Sequence, residues 1–312
     1  MARIAFLGTP DYAVPILQAC IDQHQVQVVV TQPDRYGGRG RRELLQSPVK
    51  ELARRAGVPV LQPARLSRDE QALALLAAAE CDVFVLAAYG QILRPNVLSL
   101  PRHGVIGVHA SLLPRWRGAS PVAAAIRAGD AWTGVTLMLT EAGLDTGPII
   151  ASDSIPIDPA DTTETLTRRL AVLGAALLTR ELPGWLCGGI TARPQDDARA
   201  TYAPEIAKQD GRIDWNCDAV QIERHIRAMT SWPGAFTTTA TGTRLVVWQA
   251  RVAAAEEPGI SPGTVTRTVS GPAVVTGKGL LVLQLVQPAG RGAMPAEAYV
   301  RGQPNLVGSV LA

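Results

Sequence analysis

The chain has 312 residues, of which 47% are hydrophobic and 18% are charged, and its formal net charge is +3. This is ordinary globular composition, and a chain of this length can bury a core without disulfides or a metal. No stretch approaches the roughly 18 apolar residues of a membrane span, and the N-terminal apolar run is too short for a secretory signal. We therefore expect a soluble, cytoplasmic protein with one large domain and one smaller domain.

Cysteine and histidine usage argues against a metal site. The four cysteines, Cys20, Cys81, Cys187 and Cys217, form no CxxC pair, and the four histidines have no metal-ligand spacing. Three of the cysteines lie in apolar surroundings, where a thiol behaves as a small hydrophobe. This usage is typical of a reducing compartment, and we expect no metal.

In chain order, the first 190 residues alternate apolar runs typical of strands with helical patterns. The predicted strands are Arg3–Leu7, Gln25–Thr31, Val58–Leu61, Asp82–Ala88, Val105–Ala110 and Thr133–Leu139. Helix starts are indicated by a capping serine before a proline at Ser47-Pro48 and Ser120-Pro121, and by a capping box over Ser67–Glu70. A long helix is predicted from Thr162 to about Leu178.

This alternation predicts a Rossmann-like, parallel-rich sheet with helices on both faces. Ligands of such sheets lie beyond the carboxyl ends of the strands. His109 follows one predicted strand, Tyr89-Gly90 another and Glu141–Thr146 a third, so we expect these segments to line one cleft. The turn Gly8–Asp11 lacks the GxGxxG pattern, which argues against a dinucleotide cofactor.

The pattern changes after Ala192. A polar linker is predicted over 191–206, followed by a helix at about Asp218–Met229. The remaining sequence has short strands between Gly and Pro turns, which is typical of a small β-barrel resembling an OB fold. The predicted domains are therefore 1–190 and 207–312.

Positive charge is concentrated in two places. Residues 207–312 contain 10 Lys and Arg against 7 Asp and Glu, whereas residues 1–206 contain 20 of each. The segment Asp34–Lys50 carries a local charge of +3. Both regions could meet a polyanion, although clusters of this size are more often solvated faces.

Two segments combine the residue types of a catalytic site. The first is Val108–Gly118, which begins at a strand end, and the second is Gly143–Pro148, which places an aspartate between glycines. Taken alone, His109 is more often a core histidine and Asp145 a turn residue. At strand ends that face one cleft, an acid–base pair becomes the stronger interpretation.

These segments resemble the signature of the 10-formyltetrahydrofolate-dependent formyltransferases. The resemblance rests on His109–Pro114 and Gly143–Gly147. It narrows to the methionyl-tRNA formyltransferases through further segments in both halves of the chain. These are Phe6–Pro10, Thr31–Arg35, Gly38–Arg41, Ser47–Lys50, Val60–Pro63, Ala88–Gly90, Arg212–Trp215 and Gln287–Gly290.

The resemblance implies a role for each matched residue. His109 would stabilise the oxyanion that forms when an amine attacks the formyl carbon, and Asp145 would orient His109 and receive the amine proton. The folate co-substrate, 10-formyltetrahydrofolate, would contact two short segments. These comprise Ser111, Leu112, Leu113 and Pro114, and Ala88, Tyr89, Gly90 and Gln91 in the pterin pocket.

The resemblance also implies a nucleic-acid partner, methionyl initiator tRNA. Four arginines of the basic segment would contact its acceptor arm: Arg35, Arg39, Arg41 and Arg42. The C-terminal barrel would add phosphate attraction. The alternative is a basic loop with no partner. We expect a monomer.

One position departs from the family pattern, which has Asn two residues before the histidine. This chain has Gly107, which has no side chain to donate a hydrogen bond to the oxyanion. Losing one such donor typically costs about 10²–10³ in rate. Three explanations are open: a slower enzyme, a water that supplies the donor, or a protein that binds without turnover. An enzyme that formylates an amino sugar or small amine is a further alternative, but it would need neither the basic segment nor the barrel.

Overall fold

The computed structural model describes residues 1–37, 43–253 and 259–312. It has two compact units. The first comprises Met1–Pro121, Trp132–Pro156 and Thr167–Ala203, and the second comprises Val122–Ala131, Ile157–Leu166 and Pro204–Ala312. The boundaries inferred from the sequence stay a prediction. In the described part of the chain, no helix is long and apolar enough to cross a bilayer.

The first unit is built on a sheet whose described strands are β1 Arg3–Gly8, β2 Gln25–Val30, β5 Val60–Leu61, β6 Val83–Ala87, β7 Val105–His109, β9 Trp132–Leu139 and β10 Ile149–Pro156. They run in the order β10-β9-β7-β6-β1-β2-β5. Two short pairs lie outside it, β3 Arg35–Gly37 with β4 Glu43–Leu45, and β8 Arg117–Gly118 with β11 Tyr202–Ala203.

Six α-helices begin in the described part of the first 203 residues. They are α1 Ala13–Gln23, α2 Pro48–Arg55, α3 Glu70–Ala78, α4 Pro95–Leu98, α5 Pro121–Ala128 and α6 Thr163–Leu186. α1 shows the usual reason for their placement, because its buried residues Ala13, Ile16, Leu17 and Cys20 form one apolar stripe. The central strands β1, β6 and β7 are almost continuously apolar, as expected for strands covered on both faces.

The predicted parallel-rich sheet is confirmed, with one difference. Strands β5, β2, β1, β6 and β7 are parallel, whereas β9 is antiparallel to both β7 and β10. Burial on both faces gives parallel and antiparallel strands the same apolar pattern, so the direction of β9 left no mark in the sequence. Strand β10 has the polar run Ser152–Ser154, and half-buried and exposed residues alternate along it from Ala151 to Pro156, as in an edge strand; it was not predicted.

The helix-start predictions have mixed outcomes. Ser47 caps α2 by accepting a hydrogen bond from the Lys50 N–H, as predicted. The predicted capping box at Ser67 is wrong, because Asp69 caps α3 through the Ala72 N–H at 2.9 Å. Leu66 is fully buried and the chain makes a 3₁₀ turn there, which moves the helix start past Ser67.

The second unit is rich in β structure, as predicted. Its described elements after residue 204 are α7 Ala219–Ala228, β12 Ala235–Thr238, β13 Arg244–Ala253, β14 Val265–Thr268, β15 Gly271–Val275, β16 Leu280–Pro288, β17 Met294–Pro295 and α8 Ala296–Arg301. The strands pair antiparallel in the order β12-β13-β16-β15-β14. The final residues bond to both edges, Ser309 to Val265 and Ala312 to Thr238, and thereby join the edges of the sheet as in a barrel.

Candidate active site

His109 and Asp145 form the centre of the candidate site. His109 is the last residue of β7, and its Nδ1 lies 3.6 Å from Oδ2 of Asp145. Its Nε2 lies 2.9 Å from the carbonyl oxygen of Trp116. Acceptors therefore face both ring nitrogens, and an imidazolium ring can donate to each. The two side chains are only 10% and 19% exposed, and this shielding from water strengthens their electrostatic interaction.

Asp145 is held by hydrogen bonds from two sides. Its Oδ2 accepts from the Gly118 N–H at 2.8 Å, and its carbonyl oxygen accepts from Nε2 of Gln195 at 2.9 Å. Its φ of +52° lies in the left-handed region, which aspartate and asparagine adopt more readily than other non-glycine residues. These bonds explain how the connection after β9 returns to the carboxyl end of β7.

Gln195 and Arg117 support this loop, and sequence reasoning did not identify either role. Arg117 is buried, and its Nε and Nη2 donate to Oε1 of Gln195 at 3.0 and 2.8 Å. Nη2 also lies 2.7 Å from Oδ1 of Asp197. Gln195 in turn donates to the carbonyl oxygens of Asp145 and Gly147. Gln195 lies in the segment predicted as a linker, where no local pattern marks it.

The segment Ser111–Pro114 follows β7 and makes a compact turn. Ser111 is buried, and its hydroxyl donates to the Arg115 carbonyl at 2.6 Å. The Thr136 hydroxyl on β9 donates to the Ser111 carbonyl and accepts from the Leu113 N–H. The Ser111 hydroxyl thus stabilises the turn, in which Leu112 and Pro114 are half-buried and offer apolar surface for the predicted folate contact, whereas Leu113 is buried.

The segment Ala88–Gln91 lies at the carboxyl end of β6. Ala88 and Gly90 are exposed and have φ of +47° and +83°. Tyr89 is buried between them, and its carbonyl accepts from Thr9 Oγ1 and Gln32 Nε2, each at 3.1 Å. Burial raises the pKa of the Tyr89 phenol. The main chain of this segment is therefore turned outward and firmly anchored.

The Gln91 side chain is occupied by the neighbouring loop. Its Oε1 accepts from the Leu66 N–H at 2.9 Å, and its Nε2 faces the carbonyl oxygens of Pro63 and Ala64 at 3.2 and 3.3 Å. Of the four residues predicted in this segment, Gln91 therefore offers its main chain rather than its side chain.

Gly107 is buried in the middle of β7, paired with Leu86 on β6 and Met138 on β9. A Cβ at this position would lie 3.1 Å from Oγ1 of Thr140 and 3.2 Å from Cε of Met138. These contacts are tight, but both partners are side chains. The structure therefore places Gly107 beside a hydroxyl group, two residues from His109.

Two family profiles cover most of the chain. The profile described as formyl transferase matches residues 2–182, and that described as formyl transferase, C-terminal domain, matches residues 205–304. The chain belongs to the formyl transferase family. Among the described residues, no group of three or more His, Cys, Asp or Glu is placed to hold a metal ion.

Relatives of known description match nearly the whole chain. A methionyl-tRNA formyltransferase of Roseiflexus sp. strain RS-1 is 50% identical over 302 residues, which is 96% of this chain and 92% of the relative. One from Methylococcus capsulatus is 46% identical over 299 residues, with 96% of each chain covered. Among solved structures, an N-formyltransferase from Helicobacter canadensis shares the fold with a TM-score of 0.67 at 17% identity, covering 91% of this chain and 99% of that one.

Of the four arginines predicted to contact tRNA, the structure describes one. Arg35 is exposed on β3, opposite Leu45 on β4. Arg39, Arg41 and Arg42 lie outside the described residues. The base of the segment is fixed by Lys50, whose Nζ lies 2.5 Å from Oδ2 of Asp34, with both side chains 15% exposed. Lys50 is thus committed to an ion pair.

The Asp34–Lys50 pair leads to a pH-dependent prediction. Hydrogen bonds from Lys50 and Gln62 lower the pKa of the Asp34 carboxyl. A lowered folded-state pKa stabilises the protein above the unfolded pKa of about 3.9, and this stabilisation is lost as pH falls through the lower folded value. Lys50→Met should therefore reduce the free energy of unfolding by about 1–3 kcal/mol at pH 7, and the deficit should shrink below about pH 4.

Urea unfolding of both proteins between pH 3 and pH 7 measures this deficit. Lys208→Met, at an exposed lysine, is the control and should stay within about 0.5 kcal/mol of the parent protein. A deficit for Lys50→Met that is equal at pH 3 and pH 7 would contradict the assigned ion pair.

Proposed function

We propose that this protein transfers the formyl group of 10-formyltetrahydrofolate to the α-amino group of methionyl initiator tRNA. The observation that carries the proposal is the His109–Asp145 pair, found in a chain that is 46–50% identical over 96% of its length to methionyl-tRNA formyltransferases. The exposed residues Ala88 and Gly90 and the half-buried residues Leu112 and Pro114 support it, since they offer main-chain and apolar contacts beyond the carboxyl ends of β6 and β7.

The reaction forms one bond and breaks another. The amine nitrogen bonds to the formyl carbon, and the bond from that carbon to N10 of the folate breaks. The amine loses a proton and N10 gains one. In this proposal Asp145 accepts the amine proton, and His109, whose Nε2 exchanges the Trp116 carbonyl for the substrate, donates to the negative oxygen and returns a proton to N10. General acid–base help of this kind is worth about 10²–10⁴ in rate.

The tRNA side of the proposal rests on charge. Arg35, together with Arg39, Arg41 and Arg42, would contact phosphates of the acceptor arm, where guanidinium groups bind in bidentate geometry. Residues 207–312, with their excess of positive charge, would form a tRNA-binding domain joined through 191–206 to a catalytic domain over 1–190. We place the protein in the cytoplasm, as a monomer.

A direct assay tests the proposal. The purified protein is incubated with methionyl initiator tRNA and 10-formyltetrahydrofolate, and formylmethionine released from the tRNA is measured. We expect formylation of the tRNA and none of a nucleotide-linked amino sugar offered as the competing acceptor. No formylmethionine at high enzyme concentration, with tRNA still bound, would overturn the proposed activity in favour of binding without turnover.

A further inference from the structure

Thr140 carries a hydroxyl group that the fold leaves unused. Its Oγ1 is buried and has no hydrogen-bond partner in the described part of the chain. Its main chain is fixed, because the Thr140 N–H donates to the Val105 carbonyl at 2.8 Å. A buried hydroxyl without a partner is destabilising, and an isosteric valine would avoid that cost. Stability of the fold therefore does not explain why a threonine is present at position 140.

The position of this hydroxyl relates it to the candidate site. Strand residues two apart face the same side, so Gly107 and His109 share one face of β7, with Cα atoms about 7 Å apart. A Cβ at Gly107 would lie 3.1 Å from Thr140 Oγ1. The Thr140 hydroxyl therefore lies beside Gly107, which is the residue before His109 on the same face of β7.

Thr140 also begins the connection that carries Asp145. That connection runs from Leu139, the last residue of β9, to Ile149, the first residue of β10. Asp145 lies on it and contacts His109. Gly107 contributes no side chain, and its other near neighbour is the apolar end of Met138. The Thr140 hydroxyl is thus a hydrogen-bond donor beside Gly107, which has no side chain and therefore no donor of its own.

We propose that the Thr140 hydroxyl, turned by rotation about its Cα–Cβ bond into the space that a side chain at Gly107 would fill, supplies the hydrogen-bond donor of this site and donates to the formyl oxygen as that oxygen becomes negative. The inference rests on the proposed formyl transfer. The hydroxyl proton stays on Oγ1 throughout, so the balance of bonds and protons given above is unchanged. A donor that acts on the developing charge lowers the barrier rather than tightening substrate binding.

Thr140→Val tests this most directly, because it removes the hydroxyl and keeps the shape. We expect kcat for formyl transfer to fall by about 10²–10³-fold, with KM for the folate within about threefold of the parent value. The thermal midpoint should stay equal or rise, since the variant loses an unpaired polar group. A merely structural threonine would instead lower the midpoint and leave kcat intact.

Two variants serve as controls. Thr140→Ser keeps the hydroxyl and should retain kcat within about threefold, and it also covers the case in which the valine variant folds poorly. Thr133→Val makes the same exchange at a buried position on β9 and should leave kcat unchanged. A Thr140→Val protein that folds and keeps its full kcat would overturn the role of Thr140.

A double substitution gives an independent readout. Gly107→Asn introduces a carboxamide donor, and we expect it to raise kcat at least tenfold in a Thr140→Ala background, where the side-chain atom 3.1 Å from the new Cβ is gone. In the parent background the same change should raise kcat far less, because the donor is already present. Equal effects in both backgrounds would contradict the inference. A parent protein that makes no formylmethionine would overturn the proposed function itself.

Discussion

Asp145→Asn is expected to lower kcat for formyl transfer by about 10²–10⁴-fold while leaving the fold intact. The carboxamide has the shape of the carboxylate, its oxygen can still accept the Gly118 N–H, and asparagine tolerates the φ of +52°. What disappears is the negative charge 3.6 Å from His109 Nδ1 and the acceptor for the amine proton. Single-turnover formylation and a thermal melt of each protein measure the two effects separately.

Asp153→Asn is the matched control for this substitution. Asp153 lies on β10 of the same sheet and pairs with the exposed Arg180 at 3.1 Å. Exposed pairs contribute little, so kcat and the thermal midpoint should hardly change. If Asp145→Asn kept more than a third of the parent rate, the assignment of Asp145 as proton acceptor would be wrong.

Gln195→Leu is expected to reduce both stability and turnover. The change leaves the buried Arg117 without the acceptor at 2.8 Å and frees the carbonyl oxygens of Asp145 and Gly147. Loss of charge-assisted bonds inside the protein should reduce the free energy of unfolding by about 2–4 kcal/mol. Release of the loop should lower kcat by about 10-fold or more, since misplacing a catalytic group by 1 Å can cost about 10²-fold.

Two variants separate the contributions of Gln195. Gln195→Glu keeps an acceptor for Arg117 but has no N–H for the loop carbonyls, so kcat should fall with most of the stability retained. Asp197→Asn alters an exposed partner of Arg117 and should cost at most about 1 kcal/mol. Urea denaturation with an unchanged m-value checks stability. Full activity of Gln195→Glu would show that the Gln195 bonds to the loop do not position Asp145.

The contact between His109 and Asp145 was predicted from the sequence, but the strand arrangement on which the prediction rested is only partly correct. The alternating pattern predicted three parallel strands whose carboxyl ends share one edge. His109 obeys it, but β9 is antiparallel, so the connection after β9 starts beside Ile106 rather than at the His109 end of β7. Asp145 reaches His109 because the connection after β9 turns back and is held there by Gly118 and Gln195. Turn direction of this kind depends on contacts between residues distant in the chain.

Local signals succeeded where the interaction itself is local. The Ser47 cap depends on residues within one helical turn and was predicted, whereas the choice of Asp69 over Ser67 depends on burial of Leu66. The Arg117–Gln195 bonds join residues 78 positions apart. The role inferred for the Thr140 hydroxyl depends on its lying next to Gly107, which only the structure shows. Side chains that position or complement the catalytic residues are thus the part of the site that is hardest to predict from a single sequence.

The Asp34–Lys50 pair also bears on how much stability is lost when the length of the basic segment between these two residues changes. Both ends of that segment are tied to the first unit, by this pair and by the Thr31–Ser47 hydroxyl contact at 2.8 Å. With the ends fixed, doubling the length of the intervening chain costs only about 0.6 kcal/mol in closure entropy. We therefore expect that variants with a longer or shorter basic segment keep the stability of the first unit, so that the length of this segment can differ between relatives at little cost in folding.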